Sequence, residues 1–370
     1  MSLERPLAAR GTGDTGGTAA ADFAVAADAL DHRTRTTART HALRTTGLGV
    51  LLAVAALCVV LSIAVGAKAI PLGTVVDALL SPDGSYNSSV VWELRMPRTI
   101  LGVFVGAALG LAGALMQALT RNPIAEPGIL GVNSGAAAAV VTAIFVFGMT
   151  SASAYVWFGF VGAAIAALLV YALGSRGRSG ATPVRLALAG TALAAVLQGF
   201  VYAITVLNEF VFDQIRFWQV GSLVGRDAEI FLRIWPFLGA GILLALTLGP
   251  ALNTTALGED LASALGAHVN RTRFLVAAAI ILLCGGATAA AGPIWFVGLI
   301  VPHMARTFTG PDQRWLLPYA AVIGAVLLTL ADTAGRVITS GGELEVGIVI
   351  ALVGAPVFIF LVRRRRMAQL

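Results

Sequence analysis

The chain has 370 residues, 58% of them hydrophobic and 12% charged, with a net charge of +6 and a positive mean hydropathy. Soluble domains are about 45–50% apolar and about 25% charged, so this chain lacks the polar surface to face water all round, and most of it must be solvated by lipid. A nucleic-acid role is excluded with it, because a basic, aromatic-bearing face needs a soluble domain to carry it.

Residues 1–45 are rich in Thr, Ala and Arg, carry both signs of charge and show no sustained apolar period. They read as a disordered cytoplasmic tail ahead of a transmembrane domain over 46–370. No apolar core follows the first charges closely enough for a signal peptide. Apolar segments then follow at 47–67, 99–119, 129–149, 154–174, 186–207, 230–249, 274–292, 294–306, 316–335 and 346–362. Most match the ~20 residues that a helix needs to cross the hydrocarbon core. The eighth is short and carries Gly292-Pro293, Gly298 and Pro302. It reads as a broken helix, which a membrane tolerates only where protein or a water-filled cavity satisfies the backbone. The fold class is therefore an all-α polytopic membrane protein of about ten transmembrane helices, one of them short or broken.

With the amino terminus inside, 18 of the 25 Lys and Arg residues fall on inner segments, ending in four consecutive arginines at 363–366. That bias places both termini in the cytoplasm of a cell bounded by this inner membrane. Basic residues open a Gly-rich span at Arg95/Arg98 and again at Arg271/Arg273, and each span leads into a Pro-containing break. One unit starts outside and the other inside, the arrangement of an inverted repeat used by many transporters.

Chemistry-bearing residues are few. Cys58 and Cys284 lie in apolar runs, and His32, His41, His268 and His303 have no ligand spacing, so no metal site is expected. The lone lysine, Lys68, sits in Val-Gly-Ala-Lys-Ala, so no phosphate loop exists and ATP hydrolysis would belong to a partner. An ion-coupled secondary transporter is the rival from another class. It would need intramembrane acids or histidines, and Asp332 is the main candidate.

Three stretches are too specific for generic lipid-facing helix. The first runs Arg95-Met-Pro-Arg98 and then GAALGLAGALMQALTRNPIAEPGILGVNSGA over 106–136. The second is ALGEDLASALGAHVNRTR over 256–273. The third is GPIWFVGLIVPHMAR over 292–306, with Asp332 and Arg336, GGELEVGI and GAPVFIFLVRR beyond it. Together they resemble the permease family of binding-protein-dependent importers for ferric siderophores, haem and cobalamin, over roughly 47–366. Trp295 stands where the family usually has a small residue after GPI, and Glu345 where it often has proline.

The resemblance implies ten helices per subunit and a second permease subunit, homologous or identical. It further implies ATP-hydrolysing subunits on the cytoplasmic face, carrying ATP and Mg, and a substrate-binding protein on the outer face. It places Arg95, Arg98 and Arg336 in docking that binding protein. Asp332, four residues before Arg336, could instead simply pair with it. Leu257, Gly258, Glu259, Asp260, Leu265 and Gly266 suggest a short cytoplasmic helix, which in the family couples to the ATPase. Gln117, Asn122, Asn133 and Ser134 are pathway-lining or helix-packing groups, and the 176–185 loop is a cytoplasmic gate. The expected cargo is an iron chelate, a ferric siderophore first, with haem or cobalamin as alternatives.

Overall fold

A computed structural model of the chain describes residues 15–66, 68, 70–175, 183–338 and 342–363. Two compact units are delimited, Met1–Gly49 and Val50–Leu370. The first supplies the amino-terminal part of α1 (Thr15–Ala64). Residues 15–45, read from sequence as a disordered tail, are helical there, in keeping with the Ala-rich stretch around 19–29. Residues 1–14 lie outside the described residues.

In the second unit α2 (Leu72–Leu80) precedes α3 (Tyr86–Ser89), which passes through a π-helical turn (Val90–Arg95) into α4 (Met96–Thr120). A 3₁₀ turn (Pro127–Leu130) leads to α5 (Val132–Phe147), then α6 (Ala152–Ser175) and α7 (Pro183–Leu207). The gate loop expected at 176–185 falls largely on 176–182, outside the described residues. After it come α8 (Glu209–Gln219), α9 (Ala228–Thr247), α10 (Gly249–Ala256) and the short α11 (Glu259–Ala264). A second π-helical turn (Ile281–Gly285) joins α12 (Val269–Ile280) to α13 (Gly286–Ala291). The chain closes with α14 (Val297–Thr309), α15 (Gln313–Ile338) and α16 (Val346–Arg363).

Seven helical stretches are long and apolar enough to cross a membrane, and Val132–Phe147 and Val346–Phe360 are shorter apolar helices. With α14 they follow the ten runs read from sequence. One boundary moves. The second span begins at Tyr86, so Arg95 and Arg98 lie inside a continuous helix from Tyr86 to Thr120 and not at its mouth.

The centre of the bundle is α4, which pairs most extensively with α15 and also packs on α14. Gly106, Gly110 and Gly113 fall on one helical face, and small residues there let backbones approach closely. A Cβ at Gly106 would lie 2.3 Å from the Gly324 carbonyl oxygen, and one at Gly113 would lie 2.1 Å from that of Gly298. Because the obstacle is backbone, no rotamer change relieves it. Gly113→Val should cost roughly 1–3 kcal/mol or more, read as a lower melting temperature of the detergent-purified chain. An unchanged melting temperature would mean that α4 and α14 do not meet at this glycine.

Candidate functional site

Among the described residues, three gatherings of charged and polar groups bear on the sites expected from sequence. The first is at the carboxyl end of α1, whose last carbonyls have no partner within their own helix. Arg95 fills that need, its Nη1 donating to the carbonyls of Ile63 (2.8 Å) and Ala64 (2.7 Å) and its Nη2 to that of Lys68 (2.5 Å). Arg336 Nη1 donates to the Ser62 carbonyl at 2.7 Å. Both cations also sit where the negative end of the helix dipole favours them. Arg98 forks onto Asp332 (Nε at 3.0 and 3.1 Å, Nη2 at 2.8 Å), and its Nη1 reaches Glu343 at 2.5 Å. Asp332 is shared, since Arg336 donates to its Oδ2 from Nε at 3.1 Å and also from Nη2.

Arg95, Arg98, Asp332 and Arg336 are 5, 9, 2 and 3% exposed. The three arginines thus point into the protein and not out toward a partner, because Asp332, Glu343 and the α1 carbonyls offer stronger, desolvated hydrogen bonds. The Asp332–Arg336 pairing open to a four-residue spacing is present, with Arg98 added from a distant helix. Above them lies a cavity of about 390 Å³ lined by Lys68, Arg95, Arg98, Arg226 and Arg336, with Glu93, Asp227 and Glu343 as its acids.

The second place is α11. Gly258 (φ 110°) and Gly266 (φ 81°) bound it in conformations that side chains rarely adopt. Leu261 and Leu265, four residues apart on α11 and at its end, share one face, and Leu257 stands just before the Gly258 turn; all three are more than half exposed. Glu259 pairs with Arg273 at the start of the next helix, and Asp260 follows it in the first turn. Leu261 was not among the residues singled out from sequence; its four-residue spacing from Leu265 is the signal that could have found it.

The third place is the break between α13 and α14. The helical ladder stops at Gly292 and resumes only at Leu299 and Ile300, whose N–H groups donate to the Phe296 carbonyl. Phe296 holds a left-handed backbone (φ 68°), and its N–H donates to Glu126 Oε1 at 3.0 Å. Burial pushes the Glu126 carboxyl up to about 7, with the Phe296 N–H pulling the other way. Glu126 lies in the NPIAEPG turn. An acid between two proline-marked turns was its sequence signal, and it went unassigned.

The four polar groups named from sequence separate. Gln117 is fully buried and packs helices together, donating to the Gly298 and Leu299 carbonyls (3.3 and 3.4 Å) and accepting from Arg306 at 2.7 Å. Asn122 is exposed and caps a turn, its Oδ1 accepting from the Ile124 N–H at 3.1 Å. Asn133 and Ser134 line a groove of about 440 Å³ with Gln198, Gln219, Pro293 and Trp295. Within it Asn133 accepts from Thr288 at 2.9 Å, and Gln198 donates to Ser134 at 3.4 Å. Gln198 and Gln219 were not singled out from sequence. An amide in the middle of an apolar span was the available signal for Gln198. Among the described residues, no three His, Cys, Asp or Glu side chains gather as metal ligands.

Residues 52–364 match the model of the FecCD transport family. Over 306 residues the chain is 50% identical to the ferric enterobactin transport system permease protein FepD of Escherichia coli (strain K12), covering 82% of this chain and 91% of that protein. It is 42% identical over 306 residues to the Fe(3+)-citrate import system permease protein YfmD of Bacillus subtilis (strain 168), covering 83% and 91%. A solved structure of an inward-facing conformation of a metal-chelate type ABC transporter aligns with a TM-score of 0.75 at 28% identity, covering 87% of this chain and 99% of that one.

Proposed function

The chain belongs to the FecCD transport family, and on that premise we propose that it is the permease subunit of an ATP-driven importer of an iron chelate, a ferric siderophore. The cargo follows the names of its relatives, ferric enterobactin and Fe(3+)-citrate systems. The observation that carries the reading is the exposed apolar patch at α11, with Leu261 and Leu265 on the glycine-bounded helix and Leu257 just ahead of it. An exposed apolar patch of this kind marks an interaction surface. A cytoplasmic ATP-hydrolysing subunit docks there and supplies the ATP and Mg that this chain has no phosphate loop to hold. The rival, an ion-coupled carrier, loses its main acid, because Asp332 is already engaged by Arg98 and Arg336.

In this reading both termini are cytoplasmic, a second permease subunit completes the pathway, and a substrate-binding protein docks on the outer face. Arg95, Arg98 and Arg336 serve that docking only from within, as the internally paired floor of a cavity whose lining holds more cations than acids and so presents a positive field to an acidic partner. Such a field steers encounter and register more than it adds affinity.

The test is uptake of radiolabelled iron chelates by cells lacking this chain, complemented with wild type or with Leu261→Asp. Wild type should restore uptake, and Leu261→Asp should lower it about tenfold or more at equal chain abundance. Wild-type uptake by the Leu261→Asp chain would remove coupling from α11, and uptake persisting without any ATPase would favour the ion-coupled carrier.

A further inference from the structure

Trp295 stands at the junction of two grooves. One, of about 440 Å³, holds Asn133, Ser134, Gln198 and Gln219. The other, of about 600 Å³, runs along the start of α16 past Gly347, Ala351 and Pro356. Trp295 and Gln219 line both. Its neighbours Ile294 and Val297 are 4 and 0% exposed, whereas Trp295 is 45% exposed. The indole is therefore presented, not packed away.

This surface does not suit hydrocarbon. Gln198 lies near the middle of α7 and is exposed, and Gln219 is exposed beside it. The backbone between Gly292 and Phe296 has left the helical ladder. Gln198 bonds Ser134, but lipid would leave the remaining polar atoms of these exposed amides unsolvated at a cost of several kcal/mol per group, which favours a hydrated path along this face. Its position is also held firmly. A Cβ on Gly128 would lie 3.2 Å from Trp295 Cζ3, so the ring rests directly on that backbone. The next residue is pinned in its left-handed conformation by the Glu126 hydrogen bond.

The chemistry of the walls selects a ligand class. No ionisable side chain lines either groove, so recognition by ion pairing is unavailable. What the walls offer is one broad aromatic face with uncharged amides and a hydroxyl around it. Aromatic rings gain from stacking or edge contact with an indole, while the negative face of the indole disfavours a carboxylate laid over it. Amides can then bond the oxygens at the edge of a planar ring.

We infer that Trp295, with Asn133, Ser134, Gln198 and Gln219 around it, is a selectivity contact in the translocation path for iron chelates whose ligand groups are aromatic rings, such as catecholates. It disfavours aliphatic hydroxamates and carboxylates. The inference rests on the importer reading above and narrows its cargo.

The experiment measures initial uptake of radiolabelled iron by cells carrying the complete importer. The probes are a ferric tris-catecholate, an aliphatic ferric tris-hydroxamate and ferric citrate. Wild type, Trp295→Phe, Trp295→Leu and Trp295→Met are compared, each rate normalised to the amount of chain in the membrane. The expected result is catecholate uptake by wild type, kept within about threefold by Trp295→Phe and reduced about tenfold by Trp295→Leu and Trp295→Met. Should the leucine chain fail to reach the membrane, the methionine chain, whose unbranched side chain adapts to irregular space, decides. Catecholate uptake indifferent to losing the ring, or wild-type uptake confined to the hydroxamate or citrate, overturns the inference and leaves the importer reading standing. Wild-type uptake of no iron chelate overturns both.

Discussion

Asp332→Asn should destabilise the chain by roughly 3–5 kcal/mol, because it leaves Arg98 and Arg336 desolvated with their shared counter-charge gone. Glu343 can answer only part of the loss, since it contacts Arg98 alone and is itself partly exposed. A penalty of that size is a large share of the roughly 5–15 kcal/mol that holds a folded protein together. The variant is expected to accumulate poorly in membranes at 37 °C and to melt well below wild type in detergent. Replacing Asp332 and Arg336 together by leucine and methionine should recover part of the stability, because that change leaves fewer unpaired charges behind. A variant as stable as wild type would mean that the two guanidinium groups reach water through the cavity above them.

The second large effect is expected at Glu126, and its sign with pH is the informative part. The ordinary value for this carboxyl is 4.5, and burial raises it to about 7 in the folded chain. Between those values the folded protein holds a proton that the unfolded chain has released. The stability tied to this group is therefore full below pH 4.5 and is lost as pH rises through 7. The span corresponds to roughly 3 kcal/mol at most. Glu126→Gln keeps an oxygen for the Phe296 N–H but cannot titrate. Wild type should thus lose thermal stability between pH 5.5 and 8 more steeply than Glu126→Gln. Parallel curves would mean that the carboxyl titrates in water. Glu126→Ala should cost about 1–3 kcal/mol below about pH 6, by leaving the Phe296 N–H without its acceptor, and the deficit should shrink as pH rises through 7 and wild type takes on a buried charge.

Several features of this architecture were legible in the sequence for local reasons. Each apolar run of about 20 residues is driven into lipid by its own transfer free energy, whatever the rest of the chain does. Gly292-Pro293 announced the interrupted eighth span, and the structure interrupts the ladder at Gly292. Gly258 and Gly266 bracketed the short α11 in the same way, since positive backbone angles favour glycine. The second span shows where local reasoning stops. Arg95 and Arg98 put the start of the second span at 99, yet the helix runs through both from Tyr86.

The sequence by itself determined that the chain lives in lipid, where its crossings fall and where one of them breaks, because these depend on runs of neighbouring residues. Only the tertiary structure decided what its charges do. Arg98 meets Asp332 across 234 positions, and Arg336 meets Ser62 across 274. Likewise the indole of Trp295 rests on Gly128, and Glu126 holds Phe296 across 170 positions. A buried charge or a left-handed phenylalanine is unfavourable on local grounds. Each is stable only because a distant partner is brought within hydrogen-bond reach, and no window of the sequence contains both members of the pair.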